Sequence, residues 1–122
     1  MRSFVASVLC LFLLAIAQAQ SALKPPTESA MDRFLRYVKI DTQSVEDQTT
    51  TPSTRKQLTL ANLLAKELTA LGAQNVRVSE FGIVYAMVPG NLPDNSKVPV
   101  VGLIAHMDTS PAVSGENVNA II

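Results

Sequence analysis

The side chains best suited to chemistry in this chain are His106 and Asp108, two residues apart in the stretch V-P-V-V-G-L-I-A-H-M-D-T-S-P, residues 98–111. His106 is the only histidine of the protein. Residues i and i+2 of an extended chain share a face, so the Asp108 carboxylate can reach one ring nitrogen of His106 and leave the other free. Carboxylates orient metal-ligating histidines in this way. The spacing alone equally fits a structural pair, because a single H-x-D is a weak signal.

The apolar residues before His106 predict the element that positions it. Residues 98–105 form an apolar run that contains several β-branched side chains. Such a run is typical of a buried strand rather than a helix. The polar pair would then lie at the carboxyl end of that strand, where α/β folds place their sites.

Few other residues of the chain are suited to complete a metal or catalytic site. A catalytic zinc takes three protein ligands. The single cysteine, Cys10, lies in the apolar N-terminal stretch, and Ser110 has no G-x-S-x-G setting for a serine triad. No spacing assembles the other candidate carboxylates, which are Asp41, Glu46, Asp47, Glu80, Asp94 and Glu116. On spacing alone the predicted site is incomplete.

The composition and the N-terminus indicate an exported globular protein. Ten basic and ten acidic residues with 48% hydrophobic content argue against a disordered or nucleic-acid-binding chain. Met1-Arg2, an apolar stretch and the triplet Ala17-Gln18-Ala19 have the three parts of a signal peptide. The apolar stretch is shorter than the ~20 residues of a membrane span. We therefore expect a signal peptide at residues 1–19, no stable membrane anchor, and a secreted or periplasmic domain at residues 20–122.

Helical and strand periodicities predict an α/β fold with helices packed on a mixed sheet. Apolar spacing predicts a helix over residues 28–40, with Thr27 or Ser29 as N-cap and Asp32 completing a Ser-x-x-Asp box. Its basic residues are expected on a solvated face. A second helix is predicted from Pro52 and Ser53 to residue 71, stopped by Gly72.

The segments between and after the helices predict a loop and two further strands. Residues 41–51 are polar without periodicity and predict an exposed loop. Residues 76–79 and 83–88 alternate or run apolar as strands do, with Phe81-Gly82 as the turn between them. Together with the run before His106, these segments give the order helix, helix, strand, strand, strand.

Several motifs resemble the N-terminal part of the peptidase T family. These are F-L-R-Y-V-K-I-D-T-Q-S near the start, P-S-T before the second helix, G-L-I-A-H-M-D-T-S-P, and S-G-E-N-V-N after it. The family consists of tripeptide aminopeptidases within the larger group of two-zinc exopeptidases. The resemblance extends over residues 31–122, and I-D-T-Q-S together with H-M-D-T-S-P is its most specific part.

The resemblance implies a fold, an activity and roles for two residues. It implies the N-terminal part of a two-zinc exopeptidase catalytic domain that hydrolyses short peptides, with His106 as a zinc ligand and Asp108 as an active-site residue. The other ligands and the glutamate base of the family have no counterpart here, so the fragment alone is expected to be inactive. The family's dimerisation domain implies a homodimer for the full-length protein.

Two alternatives to an aminopeptidase stay open. One is another enzyme of the same metal family, a zinc carboxypeptidase or amide deacylase. The other is a non-catalytic secreted α/β remnant that binds a peptide or a partner without turnover.

Overall fold

Two helices and a β-hairpin follow one another in a computed structural model, which describes residues 23–91 and 97–122. The elements are α1 (Ala30–Tyr37), α2 (Gln57–Ala70), β1 (Gln74–Val78) and β2 (Val84–Met87). The predicted signal peptide at residues 1–19 lies outside the described residues. Among the described helices, none is long and apolar enough to cross a membrane.

Helix α1 begins at Ala30, directly after one of its two predicted N-cap residues. The backbone N–H of Asp32 donates to Ser29 Oγ over 3.0 Å, and the Ser29 hydroxyl donates to the Asp32 carboxylate over 2.6 Å. Ser29 is therefore the N-cap, as one of the two predicted candidates, and Asp32 completes the box. The helix is shorter than the predicted 28–40, and none of its residues is buried.

Helix α2 carries the small core of the described chain. Leu60 and Ala61 are buried, with 7% and 0% exposure, and the helix packs on both strands of the hairpin. It ends before Gly72, whose φ of +91° is the left-handed conformation expected of a helix stop. Its start lies at Gln57 rather than at Pro52 or Ser53. Ser53 instead accepts hydrogen bonds from the Val45 N–H and the Gln57 side chain.

Strands β1 and β2 pair antiparallel, with the predicted turn between them. The register joins Gln74 to Met87 and Val78 to Val84, with an irregularity near Asn75, whose φ is +52°. The sheet described has these two strands only. An isolated parallel bridge between Gln43 and Thr109 is the one parallel pairing among the described residues. The α/β class is thus consistent with the structure, whereas an extended mixed sheet is not present in this part of the chain.

The prediction of a buried strand at residues 98–105 is wrong. The segment has no regular secondary structure, and Leu103 and Ile104 are 95% and 100% exposed. An apolar strand is buried only when neighbouring strands and covering helices take up its hydrogen bonds and both its faces. No strand among the described residues pairs with this run, so its apolar composition does not lead to burial.

Gly82 at the hairpin turn is in a conformation that favours glycine. Its φ is +76°, and its N–H donates to the Ser79 carbonyl while Ser79 N–H donates to Ile83. A Cβ at this position would lie 3.2 Å from Pro52 Cγ and 3.4 Å from Leu58 Cδ2. The turn therefore needs both the left-handed backbone and the absence of a side chain, because the start of α2 packs directly on it.

We expect Gly82→Ala to lower the free energy of unfolding by about 1–2 kcal/mol, from the positive φ and the close contact. Chemical denaturation followed by circular dichroism measures this loss. Gly102→Ala is the matched control, since a Cβ there meets nothing within 4 Å. Equal losses in the two variants would contradict the proposed need for glycine at the turn.

An ion cluster joins α1 to α2. Arg36 donates to the Glu28 carboxylate over 2.5 Å and to Glu67 on α2, and the Tyr37 hydroxyl also donates to Glu67. Arg33 Nε lies 3.6 Å from Glu28. The basic side chains predicted on a solvated face are therefore partly buried ion-pair partners in the case of Arg33 and Arg36.

The cluster shifts the ionisation of its members. Burial, followed by the hydrogen bond to Glu67, raises the pKa of Tyr37 to about 12. Burial would raise the pKa of Glu67, but hydrogen bonds from Arg36 and Tyr37 outweigh it and hold that pKa below its usual value. The carboxylate of Glu67 is thus stabilised in its charged form by folding.

We expect the stability of the chain to fall on acidification, because the pKa of Glu67 lies below its ordinary value of 4.5 in the folded state. The contribution is fully present above that value and is lost as the pH falls through the lower folded pKa. Glu67→Gln should cost about 1–2 kcal/mol at neutral pH and flatten the acid dependence. Thermal unfolding between neutral and acidic pH checks this, with Glu46→Gln in the exposed loop as control. An unchanged acid slope in Glu67→Gln would contradict the assignment.

Candidate functional site

The His106–Asp108 pair has the contact expected from its spacing. His106 Nδ1 lies 3.3 Å from Asp108 Oδ1, and Nε2 has no hydrogen-bond partner among the described residues. The two side chains are 84% and 44% exposed. Asp108 can therefore orient the ring while Nε2 faces solvent, available to a metal ion or another ligand. The contact is long for a hydrogen bond and lies in water, so on its own it stabilises the geometry weakly.

A complete metal site is not assembled by the residues that the structure describes. No group of three or more histidine, cysteine or acidic side chains lies close enough to hold an ion within residues 23–91 and 97–122. Catalytic zinc takes three protein ligands. His106 and Asp108 thus fit one ligand and its orienting carboxylate, and the described residues do not fit a closed zinc site.

The segment Asp41–Ser44, which carries the D-T-Q-S motif, lies against the loop that follows Asp108. Ser44 N–H donates to the Thr109 carbonyl over 2.9 Å, and Thr109 N–H donates to the Thr42 carbonyl over 3.2 Å. The Ser44 hydroxyl donates to the same Thr109 carbonyl over 2.8 Å. Thr42 is 2% exposed, so this part of the predicted exposed loop is in fact buried. The two most specific motifs of the sequence are therefore adjacent in space.

Side chains of the same segment extend this contact. The Gln43 amide donates to the carbonyls of Pro111 and Val113 over 3.0 and 2.9 Å. Lys56, just before α2, donates to Gln43 Oε1 over 3.3 Å and to Asp41 Oδ2 over 2.7 Å. The Lys56 ammonium, together with the Gln43 N–H, holds the pKa of Asp41 below its usual value. Asp41 is thus a charged anchor at one end of this hydrogen-bond network.

An open cleft of about 290 Å³ lies along the same contact. Its walls are shared by the two segments and combine apolar and polar groups. They are formed by Gln43, Ser44, Val45, Glu46, Pro111 and Ala112.

Comparison with known proteins relates the chain to one group of enzymes. It is 56% identical over 92 residues to peptidase T of Desulfitobacterium hafniense strain Y51, a match that covers 75% of this chain and 22% of that protein. Over these 92 residues the chain is a homologue of peptidase T. Peptidase T of Clostridium acetobutylicum is 51% identical over 92 residues, with the same coverage of 75% and 22%. That of Clostridium perfringens is 51% identical over 88 residues, 72% of this chain and 21% of the relative.

The match confirms the resemblance to peptidase T read from the sequence motifs. The chain spans about a fifth of the length of these peptidase T relatives. No protein-family model matches the sequence.

Sequence reasoning named Asp41 only as a carboxylate that no spacing assembles, and it missed Gln43 and Lys56. Asp41 accepts from the Gln43 N–H over 2.9 Å, which is the local turn that aspartate favours in polar segments. The long-range part of the network has no local signal, because Gln43 meets Val113 across 70 residues of chain. The one sequence feature that links the two segments is that D-T-Q-S and H-M-D-T-S-P are both among the motifs that resemble the peptidase T family.

Proposed function

We propose that this chain forms part of the catalytic domain of a zinc-dependent aminopeptidase like peptidase T, which releases N-terminal residues from tripeptides or other short peptides. The observation that supports this most directly is the exposed His106–Asp108 pair, with its 3.3 Å contact, in a chain that is 56% identical over 92 residues to a peptidase T. The same sequence identity supports a peptidase function more generally.

Within this proposal His106 is a metal ligand through Nε2, and Asp108 is the residue that orients it. By accepting from Nδ1–H, the carboxylate fixes the tautomer that leaves a lone pair on Nε2 and raises its basicity. The described residues supply no further ligands at this place. We therefore propose that the activity belongs to a longer product that includes these residues, and that the chain by itself does not turn over peptides.

The cellular setting is also a proposal. The N-terminal stretch with its Ala17-Gln18-Ala19 triplet supports export to the periplasm or the outside of the cell. The enzyme would then encounter its short-peptide substrates outside the cytoplasm. We also propose that the longer product is a homodimer, on the basis of the family resemblance alone. N-terminal sequencing of the exported protein should find Gln20 as first residue; an uncleaved N-terminus would contradict export by a signal peptide.

The peptidase activity is tested on the longest product of the gene that includes these residues. We expect it to hydrolyse tripeptides from the N-terminus, to lose activity after chelation and to regain it with zinc. Preferential hydrolysis of N-acyl amino acids or of C-terminal residues would instead establish the deacylase or carboxypeptidase alternative. Hydrolysis of none of these substrates at any zinc concentration would favour the non-catalytic remnant.

A zinc titration of the chain from Gln20 onward tests the assignment of a single ligand. We expect no stoichiometric binding at sub-micromolar zinc, because one histidine and its neighbouring carboxylate do not close a tetrahedral site. Tight stoichiometric binding would show that this chain assembles more ligands than the described residues bring together.

A further inference from the structure

We propose that Gln43 is a positioning residue that holds the loop after Asp108 and thereby fixes the Asp108 carboxylate against His106. The inference deepens the proposed function, since it concerns the same pair. It names a role for the D-T-Q-S segment, which lies more than 60 residues before the pair in sequence and next to it in space.

Both the NH₂ group and the carbonyl oxygen of the Gln43 side chain have hydrogen-bond partners. Its amide group donates one hydrogen bond to Pro111 and one to Val113, at 3.0 and 2.9 Å. Its carbonyl oxygen accepts from Lys56 over 3.3 Å. Since the Lys56 ammonium only donates, it selects the amide orientation that points the NH₂ group at the loop. A glutamate of the same shape could not make these two donations.

Main-chain hydrogen bonds hold the same loop at Thr109, one residue after Asp108. Thr109 directly follows Asp108, and its N–H and C=O are bound to Thr42 and to Ser44. The loop is therefore held at Thr109 by main-chain hydrogen bonds and at Pro111 and Val113 by Gln43. These hydrogen bonds hold the backbone that immediately follows Asp108.

Asp41 and Gly115 complete the network behind Gln43. Asp41 binds the Lys56 ammonium at 2.7 Å, and a Cβ built at Gly115 would lie 2.5 Å from Asp41 Oδ1. The far end of the loop thus passes so close to Asp41 that a side chain at Gly115 would clash. Hydrogen bonds thus connect Asp41, Lys56 and Gln43 into one network between the start of α2 and the loop.

The pair itself needs such support. A 3.3 Å contact between side chains that are 84% and 44% exposed contributes little on its own in water. The geometry of the pair must therefore come from the backbone that carries it. Among the described residues, the D-T-Q-S segment is where that backbone is held.

The test measures the His106–Asp108 pair by NMR in the whole chain, with all variants at the same mildly alkaline pH. Because the protein has one histidine, its ring nitrogens give unambiguous ¹⁵N signals that report the tautomer. The variants are Gln43→Glu and Lys56→Met, with Lys56→Arg as the charge-preserving control and Asp108→Asn as the reference for a lost contact. Amide hydrogen exchange is measured in the same samples at Ser44, at Thr109 and along α2.

We expect Gln43→Glu and Lys56→Met to speed exchange at Ser44 and Thr109 about tenfold, from the loss of one or two hydrogen bonds, while α2 stays protected. The His106 signals should move toward those of Asp108→Asn in both variants and stay at the parental position in Lys56→Arg. Unchanged His106 signals in Gln43→Glu would overturn the positioning role. Equal loss of protection throughout α2 in both variants would also overturn it, by showing a general effect on stability. Peptide hydrolysis does not enter this experiment, so failure of the proposed function would leave its result standing.

Discussion

Under the proposed function, replacing His106 by alanine in the longer product is expected to lower kcat/KM for a tripeptide at least about 1,000-fold. The reason is that a metal ligand contributes through the ion it holds, and a Lewis-acid metal is worth several kcal/mol of transition-state stabilisation. His106 is the only histidine of the chain, so no neighbouring imidazole in it can take over the role. Steady-state kinetics on a tripeptide, with the bound zinc determined on the same preparation, measures both consequences.

Asp108→Asn should have a smaller effect that separates its role from that of His106. An orienting carboxylate typically contributes 10–100-fold to metal affinity or activity. We therefore expect a loss in this range that added zinc partly restores, whereas His106→Ala is not restored. Glu80→Gln, an exposed carboxylate near the hairpin turn, is the control and should keep full activity. A His106→Ala variant with near-parental kcat/KM would refute the proposed ligand.

Leu60→Ala is expected to be the most destabilising single truncation among the described residues, at about 2–3 kcal/mol. Leu60 is 7% exposed in α2, the helix that packs on both hairpin strands, and it is one of two buried hydrophobic residues described. Removing its side chain loses transfer free energy and leaves a cavity. For a domain of this size the loss corresponds to a fall in Tm of roughly 10–20 °C.

Leu103→Ala is the matched control, with the same chemical change at a position that is 95% exposed. Its effect should stay within about 0.5 kcal/mol, as for other surface substitutions. Thermal or urea unfolding of both variants gives the comparison. A Leu103→Ala loss as large as that of Leu60→Ala would mean that the run before His106 is buried after all, as its sequence predicts.

Elements whose signals are local could be predicted from the sequence. The Ser29 cap, the stop at Gly72 and the turn at Gly82 each depend on a residue and its immediate neighbours, and each is present. Helix α2 starts four or five residues after the predicted Ser53 and Pro52, and the Ser53 hydroxyl accepts from the Val45 N–H and the Gln57 side chain. Helix starts are poorly determined when a capping side chain has an alternative partner.

Features that depend on distant residues could not be predicted. Burial of residues 98–105 requires neighbouring strands, and none among the described residues provides them. Arg36 pairs with Glu67, which lies 31 residues further along the chain. Helical periodicity places Arg36 on a polar face but does not indicate its partner. The His106–Asp108 contact is predictable because the two residues are only two positions apart. The hydrogen bond from Gln43 to Val113 is not, because it joins residues 70 positions apart.

Helix α1 has a consequence for how the chain opens. None of its residues is buried, Met31 and Phe34 are more than half exposed, and its described polar links to α2 join Arg33, Arg36 and Tyr37 to Glu67. Charge-charge links weaken as ionic strength rises, since the Debye length falls to about 3 Å at 1 M salt, whereas apolar packing does not weaken in this way. Concentrated salt is therefore expected to raise amide hydrogen exchange in α1 more than in α2 and the hairpin, so that α1 opens separately from them.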